Sequence, residues 1–260
     1  MAFGKTGIDW RSTKAAVWRS NRHFLKPISQ LDVQAPDNLL GIEDQKSLLY
    51  KNTENFLRNQ PCCHALLWGS RGSGKSSLIK TLLTRYHRNG LRLIQIPKND
   101  LHLLPDITDE IREHHRNHHF IIYCDDLSFD EGQGEYRMLK STLEGTLEQP
   151  PANVLLYVTS NRRHLMPEYM ADNLHPQTNS ETQSAEALDE RLSMADRFGL
   201  SLSFPPMAEE TYLSIVDDLF KNIKIDKQQL HEEAVRFAMQ RGGHSGRTAR
   251  HFLNHYHIYL

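Results

Sequence analysis

The sequence has almost no net charge and very little cysteine. Lysine and arginine total 31 and aspartate and glutamate total 32, so the formal net charge is −1 over 260 residues. No global field therefore draws the chain toward nucleic acid or an anionic membrane, and any such affinity must come from a local patch. The three cysteines, Cys62, Cys63 and Cys124, exclude a disulfide-rich scaffold and fit a reducing compartment.

Long hydrophobic runs are also missing. The longest apolar runs are strand-sized, far short of the roughly 20 residues that cross a bilayer. The first residues lack the apolar core of a secretory signal, so we expect a cytoplasmic protein without a membrane partner. With 38% hydrophobic residues, the chain can still bury the core of one large domain, or of one domain plus a small one.

The most informative stretch is residues 69–77, which fits the pattern G-x-x-x-x-G-K-[ST]. An apolar run precedes it at 65–68, and a second, helix-like run follows it at 78–83. This arrangement predicts a phosphate-binding loop between a strand and a helix, with Lys75 on the β- and γ-oxygens and Ser76 on Mg²⁺. The predicted nucleotide-binding residues are Gly69, Arg71, Gly72, Ser73, Gly74, Lys75, Ser76 and Ser77.

Polar side chains at the ends of two later strands supply the rest of a nucleotide site. The apolar strand 120–124 ends in Asp125, predicted to hold Mg²⁺ through water, and Asp126, predicted to orient and deprotonate the attacking water. The next strand, 154–159, stops just before Asn161, whose amide can hydrogen-bond that water or the γ-phosphate. These residues predict ATP and Mg²⁺ as the ligands of the site.

An arginine near the C-terminus stands where a helix dipole disfavours it. Ser245 is predicted to cap a helix whose first turn contains Arg247, although the field at a helix N-terminus opposes positive charge. We therefore predict that Arg247 serves a phosphate; an incidental surface arginine is the alternative.

The order of elements predicts an α/β fold with a parallel sheet, because strands and helices alternate. The expected strands are 65–68, 91–96, 120–124, 154–159 and 200–204. A helix is expected at 131–148 and a mobile surface loop at 173–187, and three amphipathic helices follow residue 207. The predicted domains are a basic helical arm (1–35), an αβα nucleotide-binding domain (36–206) and a three-helix lid (207–260).

Two segments allow two interpretations each. The basic arm contains Trp10, Trp18 and Phe24, and a helix that packs its tryptophans on the body is favoured over a surface that binds nucleic acid or another partner. Gly41 and Ile42 stand where many P-loop ATPases contact adenine, but a plain helix-packing role fits the sequence equally well.

Taken together, these motifs resemble the ordered signatures of an AAA+ ATPase. The resemblance covers about residues 39–260 and rests on segments 69–76, 125–126, 161, 196–199 and 246–250. More narrowly, segments 124–129, 139–145, 159–165 and 193–200 are similar to an uncharacterised family of bacterial AAA+ proteins, known only as a domain of unknown function.

The resemblance implies a P-loop αβα sandwich with a five-stranded parallel sheet and a helical lid. It makes Asn161 the first sensor and Arg247 the second. It also implies that an arginine of the Arg-Phe-Gly stretch reaches the γ-phosphate bound by a neighbouring subunit; by position this is Arg197, with Arg191 as the second choice. Arg162 and Arg163 would point into a subunit interface or a central pore.

The function expected from the resemblance is hydrolysis of Mg-ATP at the interfaces of a ring or filament that remodels or loads a macromolecular client. DNA or a DNA-bound protein is the candidate client, by analogy of fold alone. Because most related ATPases have glutamate at position 126 and aspartate is one methylene shorter, slow turnover is consistent with this sequence. The alternatives are an ATP-dependent switch or adaptor with little hydrolysis, and a monomeric P-loop kinase of small molecules.

Overall fold

The structure is a computed structural model that describes residues 7–32, 39–114, 117–128, 151–162 and 197–259. The expected helix at 131–148, the expected loop at 173–187, Arg163 and Arg191 lie outside these residues. No helix in the described ranges is long and apolar enough to cross a membrane.

A seven-stranded sheet forms the centre of the described chain, in the order β2-β1-β4-β5-β6-β3-β7. Every neighbouring pair is parallel except β1 and β2, which are antiparallel. The strands are β1 (Ala15–Arg19), β2 (Phe24–Pro27), β3 (Ala65–Gly69), β4 (Leu91–Gln95), β5 (His119–Cys124), β6 (Val154–Ser160) and β7 (Leu200–Phe204).

Helices cover both faces of this sheet and continue beyond it. They are α1 (Glu43–Leu57), α2 (Lys75–Tyr86), α3 (Leu104–His114), α4 (Glu209–Phe220), α5 (Lys227–Gln240) and α6 (Gly246–Tyr259). Buried residues of α3 share one core with the sheet, and buried residues of α1 and α2 share another core on its opposite face. The predicted αβα arrangement is therefore confirmed. Helices α4, α5 and α6 pack around a third core of their own.

The five predicted strands are all present, as β3 to β7, but the sheet has two strands more than expected. The prediction of a helical N-terminal arm is wrong: residues 15–27 form the antiparallel hairpin β1/β2, joined by a short 3₁₀ helix at Ser20–Arg22. β1 pairs with β4, so the backbone groups at the outer side of β4 are hydrogen-bonded. The side chain of Trp18 is buried in the α3 core. Hydrogen bonding and burial together favour the strand.

Candidate functional site

The loop between β3 and α2 depends on glycines for its shape. Gly69 has φ of 131°, and a Cβ there would overlap the carbonyl oxygen of Phe204, so only glycine lets β7 run this close. Gly74, with φ of 98°, directly precedes the first residue of α2, and no side chain caps that helix. The first-turn N–H groups of α2 are therefore available for an anion at the positive end of the helix dipole.

Lys75 points back into this loop. Its side chain is largely buried, and its Nζ donates to the carbonyl oxygens of Gly69 at 2.8 Å and Ser70 at 2.7 Å. Burial lowers the pKa of Lys75, although the carboxylates of Asp125 and Asp126 act in the opposite direction. A phosphate oxygen in the loop would be a stronger, charged acceptor for this amine than the two carbonyls.

Asp125 accepts hydrogen bonds from two hydroxyl groups. Ser76 Oγ donates to Asp125 Oδ1 at 2.6 Å, and Thr159 Oγ1 donates to the same oxygen at 2.5 Å. Burial alone would raise the pKa of Asp125, but these hydrogen bonds outweigh it, so the pKa is below its usual value. The carboxylate is therefore ionised at neutral pH.

The pair of Ser76 and Asp125 fits the predicted magnesium site. A hydroxyl and a carboxylate are the oxygen ligands that Mg²⁺ prefers, and Mg²⁺ completes its shell with water and substrate phosphates. The described residues contain no group of three or more His, Cys, Asp and Glu side chains that could hold a metal ion. A metal here would accordingly depend on phosphate oxygens for its remaining ligands.

Asp126 and Asn161 are joined by a direct hydrogen bond. Asn161 Nδ2 donates to Asp126 Oδ1 at 2.5 Å, and Asn161 Oδ1 lies 3.4 Å from Lys75 Nζ. The backbone of Asp126 is left-handed, with φ of 53°, and its N–H donates to Thr159 Oγ1 at 2.9 Å. The predicted water-activating and water-positioning residues are therefore in contact with each other and with the P-loop lysine.

Residues that precede and begin helix α6 dock on the P-loop. The N–H of Gly246 donates to the carbonyl oxygen of Gly72 at 3.2 Å. Ser245 Oγ accepts from the N–H of Thr248 at 3.0 Å, so it caps the helix as expected. This contact brings Arg247 to the wall of the same cavity as Lys75.

Most of these groups line one cavity of about 630 Å³, large enough for a nucleotide. Its polar lining is formed by the P-loop from Arg71 to Ser77, together with Asp125, Asp126, Thr159, Asn161 and Arg247. The cavity also has an apolar lining, supplied by Leu39, Leu40, Ile42, Met207, Ile215 and Leu219. Polar groups for the phosphates and apolar side chains for the base are the two kinds of contact that a nucleotide requires.

Comparison with known proteins assigns the chain to a family. A family model described as "Protein of unknown function (DUF815)" matches residues 11–258. The chain belongs to the DUF815 family. No curated protein matches the sequence.

Solved structures of RuvB from Thermotoga maritima are similar to the DUF815 chain in fold. One, titled a Holliday junction branch migration motor, has a TM-score of 0.54 and 15% identity, and the match covers 85% of this chain and 63% of that one. A single-substitution variant of the same protein has a TM-score of 0.56 at 15% identity, covering 85% and 64%. The DUF815 chain thus spans less than two thirds of these structures. Its fold is that of the AAA+ P-loop ATPases, as predicted.

Two of the predicted nucleotide-binding residues do not line the cavity. Gly41 has φ of 75° and faces Thr211, whose methyl group a Cβ at Gly41 would overlap, so this glycine allows the close approach of α4. Ile42 does line the cavity, together with its neighbours Leu39 and Leu40. Gly69 takes part only through its carbonyl oxygen, which accepts from Lys75.

Sequence reasoning missed Thr159 and, apart from Ile42, the apolar part of the lining. Thr159 lies on β6 two residues before Asn161, which follows the end of the strand, and both side chains line the cavity. The spacing of two residues between Thr159 and Asn161 could have identified Thr159 from the sequence. On α4, Ile215 and Leu219 have the helical spacing of ordinary core residues, which hides their second role at the cavity. Asp218 of α4 and Arg250 of α6 also line it.

Arg197 lies at the opposite edge of the sheet from its own cavity. Leu200 pairs with Ala65, the first residue of β3, whereas the P-loop begins at the last, Gly69. The four steps between them span about 13 Å at roughly 3.3 Å per residue. Arg197 is half-exposed, and Phe198 beside it is buried in the α3 core, which holds the turn in place.

Proposed function

We propose that this DUF815 protein is an AAA+ ATPase that binds and hydrolyses Mg-ATP at the interface between subunits. The observation that carries the proposal is the convergence of the P-loop, Asp125, Asp126, Asn161 and Arg247 on one cavity. These side chains come from four parts of the chain, the P-loop, the end of β5, the end of β6 and the start of α6, and each has the chemistry that phosphoryl transfer to water requires.

Each residue has a separate role in this proposal. Lys75 leaves the loop carbonyls to bind the β- and γ-phosphate oxygens, and Ser76 and Asp125 hold Mg²⁺, which would neutralise phosphate charge when bound. Asp126 takes the proton of the attacking water as the water oxygen bonds to the γ-phosphorus and the bond to the ADP oxygen breaks. Asn161, already within reach of Asp126, orients that water.

The position of Arg197 favours action on a neighbouring subunit. The chain enters β7 beside Ala65, about 13 Å along the sheet from Gly69, and Arg197 comes three residues before that entry, so the residue is placed away from its own γ-phosphate site. Arg197 is half-exposed at that edge of the sheet, and we propose that an adjoining copy brings its cavity there. In related NTPases such an arginine accelerates hydrolysis by about 10³ to 10⁵.

The geometry around Asp126 also favours a second candidate, a nucleotide-dependent switch with little turnover. The short carboxylate is held by Asn161 at 2.5 Å, so water must displace that contact before Asp126 can act as a base. Bound ATP would then persist long enough to recruit a partner. Hydrolysis measured in a single turnover at high protein concentration, with and without DNA, separates the switch from the motor.

The client class and the compartment belong to the same proposal. One RuvB structure is titled a Holliday junction branch migration motor, and its likeness in fold supports DNA or a DNA-bound protein as the client. The free thiols Cys62, Cys63 and Cys124 support a reducing, cytoplasmic setting.

The test combines nucleotide binding, measured with a fluorescent ATP analogue, and phosphate release as a function of protein concentration. We expect Lys75→Ala to lose binding, and Arg197→Ala to keep binding but lose turnover by roughly 10³-fold or more. Arg88→Ala is the matched control, because Arg88 is an exposed arginine next to β4 at the same edge of the sheet. Turnover that is independent of concentration and unaffected by Arg197→Ala would contradict the proposal.

A further inference from the structure

The hairpin β1/β2 carries a dense positive charge in a chain that has a net charge of −1. Its exposed cations are Arg19, Arg22 and Lys26, with Arg11 and Lys14 exposed just before β1. We propose that this hairpin binds the phosphate backbone of a nucleic acid. The inference extends the proposed function, on which it rests for its biological meaning, because it names the surface that would hold the client.

The strand register places two of these cations on one face. Arg19 pairs with Phe24 and Val17 pairs with Lys26, so Arg19 and Lys26 are diagonal neighbours about 7–8 Å apart. The half-buried ring of Phe24 lies between them on the same face. Aromatic rings among cations provide a stacking surface for bases beside the contacts to phosphate.

The opposite face and the tip of the hairpin are anchored. Trp18 and Leu25, which pair with each other, are buried in the α3 core. At the tip, Ser20 Oγ donates a hydrogen bond to the largely buried carboxylate of Asp100. The charged face is thus held in a fixed geometry, which reduces the conformational entropy lost on binding.

The two carboxylates of residues 7–32 do not neutralise this face. Asp9 accepts from the N–H of Arg11 and from Ser12 Oγ in a local turn before β1. Asp32 forms an ion pair with Lys80 at 2.9 Å, on helix α2. Asp100 at the tip is largely buried and offsets part of this charge, and the three exposed cations of the hairpin still leave a positive surface that attracts a polyanion.

A nucleic acid fits this surface better than a membrane or an added peptide strand. The large apolar side chains exposed in the described ranges are Leu48, Met239 and Ile258, and none is on the hairpin to enter a bilayer. β2 is a short edge strand that ends in Pro27, which cannot donate a backbone hydrogen bond to an incoming strand. Phosphate contacts need neither feature.

The test is fluorescence anisotropy of labelled duplex DNA, single-stranded DNA and RNA over a range of salt concentrations, without nucleotide. The hairpin variant combines Arg19→Gln, Arg22→Gln and Lys26→Gln. The control variant combines Lys51→Gln, Arg58→Gln and Arg236→Gln, which remove three exposed cations from α1, the residue after it and α5. Both variants have the same net charge, and circular dichroism melting checks that both are folded.

We expect the wild-type protein and the control to bind alike. For the hairpin variant on duplex DNA, the slope of log K against log salt becomes shallower by about 2.7, since each phosphate contact contributes about 0.9. Its affinity at low salt falls by roughly tenfold or more. Binding to at least one nucleic acid with these effects supports the inference.

Three results would overturn it: no wild-type binding to any of the three nucleic acids, equal binding by the wild-type protein and the hairpin variant, or equal loss in the control variant. Hairpin-dependent binding to polyglutamate or to phosphatidylserine vesicles that equals the binding to DNA would also overturn it, by assigning another partner. Because the assay contains no nucleotide, a failure of ATP hydrolysis leaves its outcome unchanged.

Discussion

At the scale of the residue, the backbone explains why position 126 is an aspartate. Asp126 has φ of 53°, a left-handed conformation that aspartate and asparagine adopt more easily than longer residues. The apolar strand before Asp126 identified this residue in the sequence. The backbone dihedrals of Asp126 depend on its tertiary contacts with Thr159 and Asn161, which the sequence does not show. The sequence therefore predicted the carboxylate and not the reason for its length.

Substitutions at position 126 distinguish the role of the carboxylate as a general base from its effect on the backbone conformation. We expect Asp126→Asn to keep the left-handed turn and ATP binding, and to lower turnover by about 10²- to 10⁴-fold because the general base is gone. Asp126→Glu should keep a base but cost about 1 kcal/mol in stability, because glutamate tolerates this φ poorly. Nucleotide titration, phosphate release and chemical denaturation measure the three effects. A fully active Asp126→Asn would remove Asp126 from the mechanism.

Thr159 positions both aspartates, so its removal should change a pH profile as well as a rate. Thr159→Val deletes the hydroxyl that donates to Asp125 and accepts from the N–H of Asp126. Hydrogen bonds to the ionised form lower the pKa of Asp125, so losing one raises that pKa. The acid limb of the activity profile should move to higher pH, because Asp125 is protonated earlier as pH falls.

The matched control is Thr159→Ser, which keeps the hydroxyl and should restore both the rate and the acid limb. If valine and serine give the same pH profile, Thr159 acts through packing alone.

At the scale of the element, the N-terminal hairpin shows that a local sequence pattern cannot always distinguish a strand from a helix. Trp10, Trp18 and Phe24 are compatible with a helix face, and strand pairing with β4 is a contact between residues about eighty positions apart that no local pattern encodes. The strands β3 to β7 were predictable because they are short apolar runs next to turn signals and phosphate-site motifs. Their β1 neighbour has only Ala15, Ala16, Val17 and Trp18 as its apolar signal.

The hairpin contributes to the core, and a substitution at Trp18 tests how much stability this contribution provides. Trp18 is 1% exposed, so Trp18→Ala leaves a large cavity beside β4 and should lower the free energy of unfolding by about 3–5 kcal/mol. Leu48→Ala, at a residue 49% exposed on α1, should change it by less than about 0.5 kcal/mol. Urea denaturation followed by fluorescence and circular dichroism compares the two. Equal, small effects would mean that the hairpin is only loosely attached.

At the scale of the whole molecule, the two halves of the proposed active site lie at opposite edges of one sheet. The carboxyl edge carries the cavity, and the amino edge carries Arg197. When two different surfaces of identical subunits meet, the contact is heterologous and propagates into a ring or a filament. The motifs predicted each half from the sequence. Their placement at opposite ends of β3 and β7, which span about 13 Å, depends on the register of the two strands, and no local motif encodes that register.

The most direct test of this account is to mix two inactive variants. Lys75→Ala should lack ATP binding but keep its arginine, and Arg197→Ala should keep an intact cavity. We expect each variant alone to be inactive, and their mixture to recover hydrolysis, with a maximum at intermediate ratios, because Arg197 of one subunit completes the cavity of the other. A mixture of assembled variants that stays inactive, or an Arg197→Ala protein that hydrolyses ATP at the wild-type rate, would contradict a site shared between subunits.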